Sequence, residues 1–183
     1  MKQLFIALLL SISMGCASPS LKQAISPNAP HIQSPNPIIY LADNLDEQDR
    51  LGFCIDTDGK GFSDSLQVHS CKPNGDDVLF YYNEQTLQIC SATYPGFSAA
   101  MLGGPQAGMT ISLVESDPES PDQKFGFDET SGEFWPLENA ALCLAAGNES
   151  DDAGPYMSRT LSLQPRDRTD KSLKTWVVSG TQE

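Results

Sequence analysis

Leu51-Gly52-Phe53-Cys54-Ile55-Asp56, continued by Leu66-Gln67-Val68-His69-Ser70-Cys71 and closed by Leu79-Phe80, reads as an apolar strand carrying cysteine, a loop, a second strand and a closing aromatic. The same order returns twice. Leu87-Gln88-Ile89-Cys90 leads through Ile111-Ser112-Leu113-Val114 to Asp122-Gln123-Lys124-Phe125, and Leu142-Cys143-Leu144 leads through Leu161-Ser162-Leu163-Gln164 to Leu173-Lys174-Thr175-Trp176. A unit this short cannot bury its own apolar face, so three copies predict a threefold β architecture around one shared core. Apolar residues elsewhere gather in short runs (38–41, 78–82, 175–178) separated by turn signals such as Asp58-Gly59, Asn74-Gly75 and Ser131-Gly132. They do not recur at helical spacing over three turns, so the chain from residue 38 to residue 183 is predicted to be one all-β domain.

Cys54-Ile55-Asp56, Leu66-Gln67-Val68-His69-Ser70-Cys71 and the closing triplets together resemble the repeats of the ricin B-type lectins. Those repeats carry Cys-x-Asp, a Gln-x-aromatic-x-Cys strand and a final Gln-x-Trp. The resemblance covers nearly the whole domain and implies a β-trefoil, with the closing aromatics packed in the core. The triplets depart from the pattern: they are Val78-Leu79-Phe80, Gln123-Lys124-Phe125 and Lys174-Thr175-Trp176. In this family an Asp accepts hydrogen bonds from two sugar hydroxyls, an aromatic stacks on the apolar sugar face and an amide completes the site. A carboxylate suits that task because each oxygen accepts, and ionised acceptors bond more strongly. Carried over by position, the resemblance implies a carbohydrate site in the first repeat made of Asp56, Gln67, His69 (the stacking position) and Asp77 (where the family has Asn). Ala92 and Ala145 are expected in place of the Asp in the second and third repeats.

Cys54 and Cys71 flank one loop of one repeat, and closing it would contribute about 3 kcal/mol by the chain-entropy argument. They are expected to form a disulfide. At the corresponding partner position the second repeat has Ser116 and the third Arg166. Cys90 and Cys143 are then left single and either pair with each other or stay buried free thiols; the thiols are the expectation, since equivalent places on different lobes readily exceed the ~7 Å Cα limit for a bridge.

The N-terminus predicts export. Lys2 precedes an apolar run, Leu4 to Ile12, that is too short for a span of ~20 residues, so residues 1–15 read as a signal peptide. Ser13-Met14-Gly15-Cys16 resembles a bacterial lipobox and implies lipidation of Cys16. Residues 16–37 are rich in Pro, Ser, Asn and Ala, which predicts an extended tether. The expected location is a bacterial outer membrane or cell surface, reached through a lipid anchor, with the periplasm or secretion as the alternative.

Formal net charge is -13 with only 11 Lys and Arg residues. Such a surface repels phosphate backbones, so no nucleic-acid partner is expected. Asp56, Asp58 and Gly61 begin like a calcium loop, but Lys60 and Gln67 stand where that loop needs oxygen ligands and a bidentate Glu, so no metal and no cofactor is expected. The two histidines and the absence of a nucleophile motif give no catalytic site, and no enzyme activity is expected. Two readings remain. One is a tethered lectin-like module binding galactose-type glycans through the first repeat. The other is a protein-interaction subunit that uses the trefoil as scaffold, similar to the ricin-like accessory subunits of bacterial tripartite genotoxins.

Overall fold

A computed structural model describes residues 26–180. The signal peptide, Cys16 and the first part of the tether lie outside the described residues. The domain is a β-trefoil built almost entirely of strands: β1 (Ile38–Leu41), β2 (Phe53–Thr57), β3 (Leu66–Ser70), β4 (Phe80–Asn83), β5 (Gln88–Ser91), β6 (Phe97–Ala100), β7 (Ser112–Glu115), β8 (Phe125–Asp128), β9 (Glu133–Pro136), β10 (Leu142–Ala146), β11 (Asp151–Ala153), β12 (Tyr156–Pro165) and β13 (Trp176–Ser179). The one α-helix among the described residues, α1, is a single turn, Lys171–Lys174.

Each lobe contributes four strands, with β11 an added strand in the third lobe. Strands β13-β1-β2-β3 and β4-β5-β6-β7 run in the same antiparallel order, and β8 pairs β9 beside the β10-β12 hairpin. Strand register makes the lobes comparable residue by residue. Tyr40 faces Cys54 across β1 and β2, and Cys90 faces Ser98 across β5 and β6. Residue Ser98 therefore corresponds to Cys54, and Ala100, not Ala92, corresponds to Asp56. This corrects the sequence reading of the second lobe: Cys90 lies on β5, the counterpart of β1, one strand earlier than the motif implied. Serine had replaced cysteine on β6, and the nearest remaining cysteine drew the alignment to itself. In the third lobe Cys143 and Ala145 do correspond to Cys54 and Asp56.

The core follows the threefold repeat. Phe80, Phe125 and Trp176, the closing aromatics, are fully buried; so are Ile39, Ile89 and Phe134 from the opening strands, with Ile55, Ala99 and Leu144 and then Val68, Leu113 and Leu163 completing the layers from the hairpins. The Trp176 indole donates to the Leu144 carbonyl (2.9 Å), so its polar atom is satisfied inside the core.

A polar shell position varies around this constant interior. Lobe 1 has Ile38 packed with Val78. The second lobe has Gln88 at the first place, donating to Gln123 Oε1 (2.6 Å) at the other. Lobe 3 has Glu133 and Lys174 there, an ion pair of 3.0 Å. Three chemistries fill one place because the polar atoms of each find partners: Gln123 also donates to the Glu115 carbonyl (2.9 Å), and Glu133 also accepts from Arg166 Nε (2.5 Å).

The Cys54–Cys71 disulfide is present, with Cα atoms 5.0 Å apart, and Cys90 and Cys143 are buried free thiols. Lobe 2 replaces the bridge with a hydrogen bond between Ser98 and Ser116. The tether expectation needs revision for residues 26–37, which lie against the domain. Asn28 donates to Asp43 (2.9 Å) and Leu45 (3.1 Å), the His31 amide to Arg50 (2.6 Å), and the Ser34 hydroxyl to the Lys72 carbonyl (2.6 Å). Pro30 and Pro35 sit over Gly52 and Gly75, where an added Cβ would come within 2.6 and 2.8 Å of the rings. Proline composition suggested an extended chain but not that two glycines make room for its rings.

Candidate functional site

Strand alternation places the first-lobe candidates. On β2, Phe53 and Ile55 face the core while Cys54 and Asp56 face the opposite way; on β3, Val68 is in the core and Gln67 and His69 point away. The pairing sets His69 across from Cys54 and Gln67 across from Asp56. Beyond β3 the disulfide holds Cys71, which fixes the start of the next loop and brings Lys72 back over Asp56. That loop turns at Gly75 (φ 82°) into a 3₁₀ turn, Asp76–Val78, which delivers Asp77.

The four expected residues are thus gathered, with a fifth group at their centre that the sequence reading missed. Lys72 Nζ donates to Asp56 Oδ2 (2.9 Å) and to Asp77 Oδ1. Asp56 is fully buried, and its Oδ1 has no hydrogen-bond partner. Burial is the main cause that pushes its carboxyl up to about 7; the charge of Asp77 adds to this and Lys72 opposes it. Burial also disfavours the charged form of Lys72, but its two carboxylate partners win and hold the ammonium above its ordinary range. His69 is held below the usual imidazole value chiefly by burial, so it is neutral at pH 7. Its Nδ1 lies 3.0 Å from the Ser70 carbonyl, which only accepts, so Nδ1 carries the proton.

Above this cluster lies a cavity of about 840 Å³ lined by Gln67, His69, Lys72 and Asp77, among others. Asp56 does not line it. The residue expected to make the central contact lies beneath Lys72, as a support for the ammonium. Two walls come from the other lobes: Thr93 and Tyr94 from the loop after β5, and Pro155, just before β12, with Tyr156 and Ser158 from the start of β12. Strand β12 reaches the site because it pairs with β3, Ser158 facing His69. Tyr156 packs edge-on against His69 with ring centroids 5.4 Å apart, so the imidazole is braced by a neighbour.

Tyr156 and Lys72 carry no signal of their own in the sequence. Lys72 was readable in principle, since a lysine directly after a disulfide cysteine must lie close to that cysteine's strand partners. Tyr156 depends on a contact between lobes, which no local pattern reports. The counterparts in lobe 2 are Ala100, Ser112, Val114 and Asp122, and in lobe 3 Ala145, Ser162, Gln164 and Leu173. Neither set contains the buried carboxylate. Among the described residues no cluster of three or more His, Cys, Asp or Glu side chains is arranged to hold a metal.

No protein-family model matches the sequence, and no curated protein matches it. Solved structures do match in fold. The C-terminal half of an earthworm R-type lectin, solved with GalNAc, aligns with a TM-score of 0.52 at 15% identity, covering 78% of this chain and 98% of that one. The mdaA-1 domain aligns at 0.59 and 15% identity, covering 85% and 98%. The β-trefoil lectin of the Vibrio vulnificus hemolysin/cytolysin, with N-acetyl-D-lactosamine bound, aligns at 0.51 and 11%, covering 80% and 96%. At such identities the likeness establishes the β-trefoil fold.

Proposed function

We propose that this protein is a non-catalytic carbohydrate-binding module that takes galactose-type glycans in the first-lobe cavity. The observation that carries the reading is the composition of that cavity. Lys72 is a donor, Asp77 an acceptor, Gln67 an amide that does both, and Tyr94 and Tyr156 are aromatic walls. Alternating hydroxyls and C–H faces on a hexose match that set. The role inferred for Asp56 is to position Lys72 from below. In support, two solved β-trefoils of similar fold were determined with galactose-type sugars bound. Glycosidase chemistry needs two carboxyls held apart around a bond; here Asp56 and Asp77 converge on one ammonium. Lipidation at Cys16 and display on a membrane surface are part of the proposal.

The test is a glycan array probed with the whole chain and with Asp77→Ala and Lys72→Met. Binding of galactose-terminated glycans by the wild type, lost in both variants while circular dichroism is unchanged, is the expected result. A folded wild type silent across the array refutes it. Such silence favours the second reading, a protein-interaction subunit. One observation supports that alternative: the second lobe has Ala100, Met101 and Leu102 where the first has Asp56, Thr57 and Asp58, and Leu102 is 56% exposed.

A further inference from the structure

The loop joining β2 to β3 carries Phe62, which is 51% exposed. Gly59 and Gly61 hold left-handed conformations (φ 88° and 80°), and nothing lies within 4 Å of where a Cβ would stand at either, so this part of the loop projects clear of the body. Phe62 then folds back: its ring lies edge-on to Tyr94 (centroids 5.3 Å, interplanar angle 88°) and to Phe97 (4.9 Å, 67°). Tyr94 is a wall of the first-lobe cavity, and Lys60 and Gly61, the two residues before Phe62, line it as well. The phenyl ring thus stands beside a wall of the cavity and directly after two residues that line it, T-shaped against Tyr94 and Phe97, with half its surface left in water.

Cavity size gives a second line of argument. About 840 Å³ is in the upper part of the range of roughly 300–1,000 Å³ typical of pockets that bury drug-sized ligands. One hexose leaves much of that space unfilled. The third argument is an internal comparison. The loop between β6 and β7 (101–111) and the loop that follows β10 (147–150) contain no aromatic residue. The lobe that keeps the buried carboxylate is therefore the lobe that carries the exposed ring.

We infer that the first-lobe site recognises at least a disaccharide, with one ring among Gln67, Lys72 and Asp77 and the apolar face of the next ring stacked on Phe62. This rests on the carbohydrate reading above and assigns its specificity. The second ring is the occupant because it is covalently tied to the first and presents C–H groups that gain from leaving water. The chain's charge of -13 disfavours an anionic extension.

The experiment is calorimetric titration of the whole chain with galactose and with lactose, for the wild type, Phe62→Ala and Phe62→Trp. The wild type should prefer lactose by about tenfold, the order expected when one apolar ring face is buried. Phe62→Ala should bring the ratio close to one and Phe62→Trp, which keeps a platform, should retain it. Galactose and lactose bound equally by the wild type overturn the second subsite and leave the carbohydrate reading standing. A lactose preference unchanged in Phe62→Ala, with the fold verified by circular dichroism, overturns the role of Phe62. Failure of the wild type to bind either sugar overturns both.

Discussion

Replacing Asp56 with Asn probes the most unusual electrostatic feature of the site. The buried carboxyl moves from its ordinary value of 3.8 to about 7 on folding. Between those values the unfolded chain has released the Asp56 proton and the folded domain still holds it. The folded state then binds more protons, so stability must fall as pH rises across this window and level off above it. At 1.36 kcal/mol per pH unit, the displacement corresponds to about 4 kcal/mol of pH-dependent destabilisation. Asn cannot titrate, keeps the side-chain shape and still offers Lys72 a carbonyl oxygen. Other groups act nearby with the opposite sign. His69, held neutral in the fold, loses stability as pH falls through 6.5, and Asp43, Asp46 and Glu133, held low by their partners, act only below their ordinary range. The difference between Asp56→Asn and wild type cancels these contributions. Urea unfolding of both proteins from pH 4.5 to 8, under non-reducing conditions, should show the variant gaining steadily on the wild type up to about pH 7 and running parallel beyond. Parallel curves throughout would mean that Lys72 outweighs burial and keeps Asp56 ionised, and the reasoning would fail.

Two further predictions follow from lobe equivalence. Because Ser98 and Ser116 occupy the places of Cys54 and Cys71, Ser98→Cys with Ser116→Cys, made in a Cys90→Ser background because the Cys90 thiol lies 3.6 Å from Ser98 Oγ, should form a second disulfide spontaneously; thiol titration should find no added free thiols, and the domain should gain about 3 kcal/mol in denaturant unfolding over the Cys90→Ser parent. At the Glu133–Lys174 pair, Lys174→Ala alone should cost about 2 kcal/mol, the loss of one charge-assisted hydrogen bond, since Glu133 keeps Arg166 (2.5 Å) as a second cation. The double change Glu133→Ile with Lys174→Val, which installs the lobe 1 pair, should lie within about 1 kcal/mol of wild type in the same assay; a loss equal to the single variant's refutes the equivalence.

The fold was legible because its determinants are local and repeated. Each lobe announces itself by a closing aromatic, and Phe80, Phe125 and Trp176 all reach the core. Register was less legible. One serine at position 98 removed the landmark cysteine, and the alignment slid to Cys90 because β5 and β6 are both short apolar strands. The site was half legible. Asp56, Gln67, His69 and Asp77 converge because they belong to one hairpin and the turn that follows it. Their roles did not follow from their convergence. That Asp56 would lie under Lys72 depends on the disulfide and on the Gly75 turn, which together set the path of residues 71–77. Tyr156 enters through the β3–β12 pairing, a contact between residues far apart in sequence, and periodicity within one lobe contains no information about it.

The three lobes show how unequally the fold constrains its parts. The aromatic layer is kept in every lobe because an empty place there would cost several kcal/mol and the core has no slack. The shell place filled by Ile38 and Val78, by Gln88 and Gln123, or by Glu133 and Lys174 accepts apolar, amide or charged pairs, provided that neighbours such as Arg166 and the Glu115 carbonyl complete the polar ones. The fully buried Asp56 carboxylate belongs to neither class. Asp56 has one unpartnered oxygen, sits beside a second acid and is held partly neutral at a cost to stability. Alanine at the same place in lobes 2 and 3 is compatible with the same fold. A group that the architecture can do without and that destabilises the domain near neutral pH is best accounted for by what it holds in place: the Lys72 ammonium, presented with Asp77 in the first-lobe cavity, beside the exposed ring of Phe62.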